Sequence, residues 1–252
     1  MLDLTYPPII VTAKAAFRAL GLRFQLHGTE HIPRDGGALL ALNHISYVDF
    51  ILGGFAAQPS KRLVRFMAKR ETFDHPVSGP IMRSLHHISV DREDGVHSMH
   101  QAVDYLRGGE VVGIFPEATI SRSFEIKELK SGATRIAAEA GVPLVPVVLW
   151  GTQRMFTKDH PRDLGRGKTI AISVGEPMHP TGADSPAETT ELRARMAALL
   201  DQTIARYPAE EQPPGSWWLP ARFGGTAPTP EEAIQLDREE KLRRAARRRA
   251  QS

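Results

Sequence analysis

The chain has 252 residues, 41% of them hydrophobic, with 32 lysines and arginines against 29 aspartates and glutamates, and no cysteine. That length suits one α/β domain with modest additions, and the missing thiols exclude a disulfide scaffold, a thiolate nucleophile and a cysteine-ligated metal site. Seven basic and two acidic residues fall between positions 238 and 252, so the positive balance belongs to the tail and does not mark the chain as a nucleic-acid binder.

Behind Pro7 and Pro8, the segment IIVTAKAAFRALGLRF reads as one amphipathic helix, with Lys14 and Arg18 four residues apart on a narrow polar stripe. A helix lying in a membrane interface, its cations reaching lipid phosphates, and a terminal helix packed on the domain both fit this pattern. ALLAL at 38–42 reads as a buried strand or short buried helix. Ser46 is placed to cap a helix that begins at Tyr47 and runs through YVDFILGGFAA. VRFMAK at 64–69 reads as a strand, and 95–107 as an amphipathic helix closed by Gly108 and Gly109. VVGIF at 111–115 is a short apolar strand, 131–140 a helix stopped by Gly141 and Pro143, and 144–150 and 169–174 are strands. Ser185 as cap, Pro186 and Glu188 open a long helix with Leu192, Met196, Leu200 and Ile204 on its apolar face. The proline- and glycine-rich stretch from 208 to 230 reads as an extended wrap. Trp217 and Trp218 there suit either a lipid–water boundary or a clamp onto the core, the clamp being favoured. A solvated or frayed helix follows.

Strands alternating with helices predict an α/β fold: one layered domain with a mixed, mostly parallel sheet flanked by helices. The division expected is a membrane-docking helix at 1–24, the α/β domain at 25–207, and a wrap with a basic tail at 208–252. No apolar run reaches the ~18 residues of a membrane span, and MLDLTYPPII lacks the features of a signal peptide. A cytosolic or surface-attached protein is expected.

The segment LLALNHISYVDFILGG (39–54) sets His44 and Asp49 inside an apolar run. Residues five apart on a helix point about 140° away from each other, and on a strand they face opposite sides. The pair meets only if the chain turns between them. A strand ending at Leu42 and a helix following would let Asp49 reach back to His44, fix its tautomer and leave the other ring nitrogen as a base. No metal spacing such as HExxH is present. His86 and His87, with no paired carboxylate motif, read as structural.

The run Asn43-His44-Ile45-Ser46-Tyr47-Val48-Asp49 fits the NHxSxxD pattern of glycerolipid acyltransferases, and the chain resembles the lysophosphatidic acid (1-acylglycerol-3-phosphate) acyltransferases. Three further blocks follow in the family's order: Ile88-Ser89-Val90-Asp91-Arg92, Phe115-Pro116-Glu117-Ala118-Thr119-Ile120-Ser121 (similar to FPEGTRS) and Val142-Pro143-Leu144-Val145-Pro146-Val147. The resemblance covers roughly 25–175. It implies transfer of a fatty acyl group from acyl-CoA or acyl carrier protein to a lysophospholipid hydroxyl, with His44 as general base, Asp49 as its orienting partner and no cofactor. For the acceptor it implies Arg92, with Lys69, Lys130 and Arg122 as further cations, and Glu117 and Thr119 in the same loop. Ala118 stands where the family has glycine and Ile120 where it has arginine, so Arg122 is the substitute expected to meet phosphate. The partners expected are a lysophospholipid, acyl-CoA and an anionic membrane bound through the tail, with no nucleic acid; the protein is expected as a peripheral one on the cytoplasmic face of the cell membrane. Two other readings stay open: a thioester or ester hydrolase using the same dyad, and a non-enzymatic lipid-binding module.

Overall fold

The computed structural model describes residues 6–76, 78–91 and 95–251. Seven strands, β1 (Arg23–His27), β2 (Ala38–Leu42), β3 (Val64–Lys69), β4 (Ile88–Val90), β5 (Val111–Ile114), β6 (Leu144–Trp150) and β7 (Thr169–Val174), form one sheet in the order β1-β7-β6-β2-β5-β3-β4. Neighbouring strands run parallel except β6 and β7. The helices are α1 (Tyr6–Ala19), α2 (Asp49–Gly53), α3 (Arg70–Asp74), α4 (Ser78–Ser84), α5 (Gly95–Arg107), α6 (Gly132–Ala140), α7 (Ser185–Arg206) and α8 (Pro230–Gln251).

Every residue of β2 and of β6 is buried, because both faces of the sheet centre are covered. That is why these strands read as unbroken apolar runs rather than as alternation. Leu40 and Leu42 face one core with Leu52 of α2, and Phe17 of α1 packs against that side. Leu39 and Ala41 face the other core, with Leu106 of α5, Ile136 of α6 and Leu192 of α7.

These two faces locate the site. After β2 the chain leaves toward the α1–α2 face, and after β5 it leaves toward the opposite face, where α6 packs. β2 and β5 are neighbours, so their carboxyl ends mark the switch point of the sheet, the usual ligand position of such sheets.

The structure departs from the sequence reading in several places. The N-terminal apolar segment is not one helix: α1 stops at Ala19, Gly21 takes a left-handed φ of 59°, and Arg23 begins the edge strand β1 beside β7. The helix expected from Tyr47 begins at Asp49 and passes into a 3-10 turn at Gly54–Ala57. Gly53 lets it lie close on β2, since a Cβ there would sit 2.5 Å from the Leu42 side chain. Asp184, not Ser185, caps α7, its carboxylate accepting from the Ala187 N–H. The wrap is clamped: Trp218 packs on Trp150 and Tyr207, and Glu211 accepts from Thr169 and Arg23. Burial works to raise the Glu211 carboxyl, but these donors and Arg154 hold it down to about 2. The charged C-terminal helix is docked through its first half rather than wholly solvated.

Candidate active site

The site begins where β2 ends. Asn43 is fully buried, and its side-chain amide accepts from the Leu149 N–H at 2.7 Å and donates to the Leu149 carbonyl at 3.0 Å. A side chain thus continues the β2–β6 ladder while the backbone turns away, which fixes the next residue, His44. The His44 N–H donates to Glu117 Oε1 at 2.9 Å, and its carbonyl accepts from the Ser121 N–H at 2.7 Å. Its ring lies on Phe115, centroids 4.5 Å apart; Phe115 stacks on Phe66, and Phe66 lies across Gly113, where a Cβ would come within 2.6 Å.

The turn at 45–48 closes the gap of five residues. Asp49 is fully buried, and its Oδ2 accepts from the Ile45 N–H (2.7 Å), the Ser46 N–H (2.7 Å) and His44 Nδ1 (3.0 Å). Its Oδ1 accepts from the Thr152 hydroxyl at 2.6 Å. Ser46 does not cap α2: its hydroxyl donates to the Phe156 carbonyl, while Thr157 holds the Ile45 carbonyl. With Nδ1–H committed to a carboxylate, Nε2 is the nitrogen able to take a proton, on a side chain still 23% exposed. Such an imidazole can act as a general base.

Glu117 follows β5 and is buried, its second oxygen accepting from the Lys127 N–H at 3.1 Å. Burial pushes its carboxyl up to about 8, against the two backbone donors and the Lys127 charge, which favour the anion. Its contacts tie the β2 turn to the loop after β5. Ala118 beside it has a φ of 60°, which explains why glycine suits this position. Ile120 points into protein and is 3% exposed.

The other expected cations do not converge. Lys69 is exposed at the carboxyl end of β3, and Lys130 is exposed in the loop, its N–H donating to the Pro116 carbonyl. Arg92 lies outside the described residues. Thr119 accepts from Lys127 Nζ at 2.8 Å. Arg122 is nearly buried and engaged by Asp159, Asp237 and Glu240. His87 is structural: its Nδ1 accepts from the Phe66 N–H, and burial with the nearby Arg65 charge pushes it down to about 4. Sequence reasoning missed Asn43 as a clamp, Thr152, and Lys127. Thr152 lies two residues beyond a buried strand, but nothing local links it to Asp49.

A family model described as Acyltransferase matches residues 23–150, which run from β1 through β6 and include both halves of the site. The 1-acyl-sn-glycerol-3-phosphate acyltransferase of Bacillus subtilis (strain 168) is 34% identical over 185 residues, 71% of this chain and 85% of that protein. This chain belongs to the acyltransferase family. The enzyme of the same name from Pseudomonas aeruginosa is 28% identical over 73% of the chain and 70% of its own length. The crystal structure of the 1-acyl-sn-glycerophosphate acyltransferase PlsC from Thermotoga maritima matches with a TM-score of 0.68 at 26% identity, covering 80% of each chain. The single α/β domain with a mostly parallel sheet is thus the fold of a solved acyltransferase. Among the described residues, no helix of this acyltransferase is long and apolar enough to cross a membrane.

Proposed function

We propose that this acyltransferase moves a fatty acyl group from an acyl thioester, acyl-CoA or acyl carrier protein, to the free hydroxyl of lysophosphatidic acid, making phosphatidic acid for phospholipid synthesis. The observation that carries the reading is the His44–Asp49 pair: Nδ1 held by a buried carboxylate at the switch point of the sheet. His44 Nε2 takes the hydroxyl proton as the oxygen attacks the thioester carbonyl, and Asp49 stabilises the imidazolium that forms. The proton then passes to the departing thiolate, so no acyl-enzyme is formed. Glu117 positions His44 through its backbone N–H. Thr119 and Arg122, on the loop after β5 that carries Glu117, form the polar side of the acceptor site. The resemblance of relatives named for 1-acyl-sn-glycerol-3-phosphate supports this acceptor.

The protein works at the cytoplasmic face of the membrane as a peripheral enzyme. α1 is tied down at its ends, by the Tyr6 hydroxyl on the Val64 carbonyl and by Phe17 on Phe24 and Phe55, and exposes Val11, Lys14 and Arg18. With the cationic end of α8, it offers an anionic bilayer two contacts.

The chain has no cysteine, so a thiol reagent reads released CoA without background. Purified protein with a long-chain acyl-CoA is expected to release CoA only when lysophosphatidic acid is added, with phosphatidic acid appearing in equal amount by mass spectrometry. Equal release without acceptor would make the protein a thioesterase.

A further inference from the structure

Among the described residues, a cluster of ion pairs stands beside the site without touching His44 or Asp49 directly. Arg122 has a side chain 6% exposed, and it meets Asp159 through Nε at 2.6 Å, Asp237 through Nη1, and Glu240 through Nη2 at 2.9 Å. Lys127 Nζ bonds Asp237 at 2.5 Å, and Lys158 Nζ reaches Asp237 at 3.3 Å and Glu240 at 3.1 Å. Burial works to raise Glu240, but Arg122 and Lys158 hold it down to about 2, so it stays an anion.

Asp237 and Glu240 come from α8, beyond the span matched to the family. The inward face of α8 is Ala233, Leu236, Asp237 and Glu240, and of these only Ala233 is buried. From Lys241 to Arg247 every residue is exposed. The helix is therefore seated by its acidic half mainly through ion pairs, and its cationic half stands clear. Through Lys127, which pairs with Asp237, it is linked to the candidate site. Lys127 bonds Thr119 and gives its N–H to Glu117, which holds His44. Tyr47, in the turn between His44 and Asp49, lies in the field of Glu240 and Arg244.

We propose that Asp237 and Glu240 act as an internal anion, occupying a site of Arg122, Lys127 and Lys158 that takes the phosphomonoester of the acceptor lipid, so that α8 is a strap displaced by that lipid. The acceptor's identity rests on the proposed function. Two carboxylates match the charge of a phosphomonoester dianion, and an arginine fork with two ammonium groups suits its oxygens. The two carboxylates keep part of their side chains in water, and an incoming phosphate re-pairs the nearly buried Arg122 rather than leaving it without an anion. An anionic surface draws on the exposed cations of the same helix and favours the open form.

Hydrogen exchange of the amides at 233–241 in the full-length protein tests the strap without requiring turnover. Three probes are compared: phosphatidylcholine vesicles carrying lysophosphatidic acid, the same vesicles carrying lysophosphatidylcholine, and inorganic phosphate. Faster exchange with lysophosphatidic acid alone is expected. Faster exchange with lysophosphatidylcholine or inorganic phosphate as well, or no response to any probe, overturns the proposal. In the Asp237→Asn/Glu240→Gln double variant, the KM for lysophosphatidic acid is expected to fall roughly fivefold or more, with kcat little changed. An unchanged or raised KM overturns it. Wild-type protein that opens α8 to lysophosphatidic acid yet makes no phosphatidic acid would refute the proposed reaction and leave the strap standing.

Discussion

The His44–Asp49 turn and the docked helix α8 are held by opposite kinds of force. The His44–Asp49 turn is closed around a fully buried carboxylate by two backbone N–H groups, a threonine hydroxyl and the imidazole itself. α8 is held by side-chain ion pairs whose acidic members, Asp237 and Glu240, keep 24% and 21% of their side chains in contact with solvent. Leaving a buried acceptor without its donor costs about 1–3 kcal/mol, whereas cations that meet half-buried carboxylates can exchange one anion for another and stay paired. On the proposed mechanism a base holds one position through every turnover, and on the proposed strap a cover moves, so the difference in material would follow the difference in task.

The sharpest break is on the rigid side. His44→Ala is expected to lower kcat for acyl transfer by about 10²–10⁴, with an unchanged far-ultraviolet dichroism spectrum. A variant that keeps wild-type turnover would remove the base from the mechanism. Thr152→Val should come next: it strips Asp49 Oδ1 of its donor, lowers stability by about 1–3 kcal/mol in urea unfolding and lowers kcat with it. An unaltered urea midpoint would mean that the turn is not held as described.

Glu117 predicts a pH dependence. Its folded value of about 8 lies above its ordinary 4.5, so between those values the folded state keeps a proton that the unfolded chain releases. Its contribution to stability is full below about pH 4.5 and is lost as pH rises toward 8. Melting curves of the wild type should fall across that window relative to Glu117→Gln, and parallel curves would refute the assignment. His87, depressed to about 4, acts in the other direction, removing stability as pH drops from about 6.5 to 4. The smallest effect expected is at Ala118, where φ is 60°. Ala118→Gly should raise stability by up to about 1 kcal/mol, read as a higher melting temperature, and a lower one would show that this loop does not bear the strain.

Sequence reading located what is carried by local pattern. The strands at the sheet centre were legible because burial on both faces writes an unbroken apolar run, and β2, β3, β6 and β7 have the limits that those runs imply. The His44–Asp49 pair was legible because its spacing demanded a turn. β1 was not, since RFQLH is an edge strand with a mixed, half-exposed pattern that blends into the helix before it. Thr152 was invisible because its bond to Asp49 spans 103 residues. The docking of α8 was invisible for a related reason: charges that read as solvated find partners more than 100 residues away, Arg122 with Asp237 and Glu240 among them.

The clamp at the end of the wrap has an optical consequence. The chain has three tryptophans: Trp218 packs 6.1 Å from Trp150, and Trp217 stacks on the His160 ring at 3.8 Å. Intrinsic fluorescence of this enzyme therefore gauges how its 208–230 segment is seated, and titrating His160 against Trp217 should appear as acid quenching of the emission before the chain unfolds.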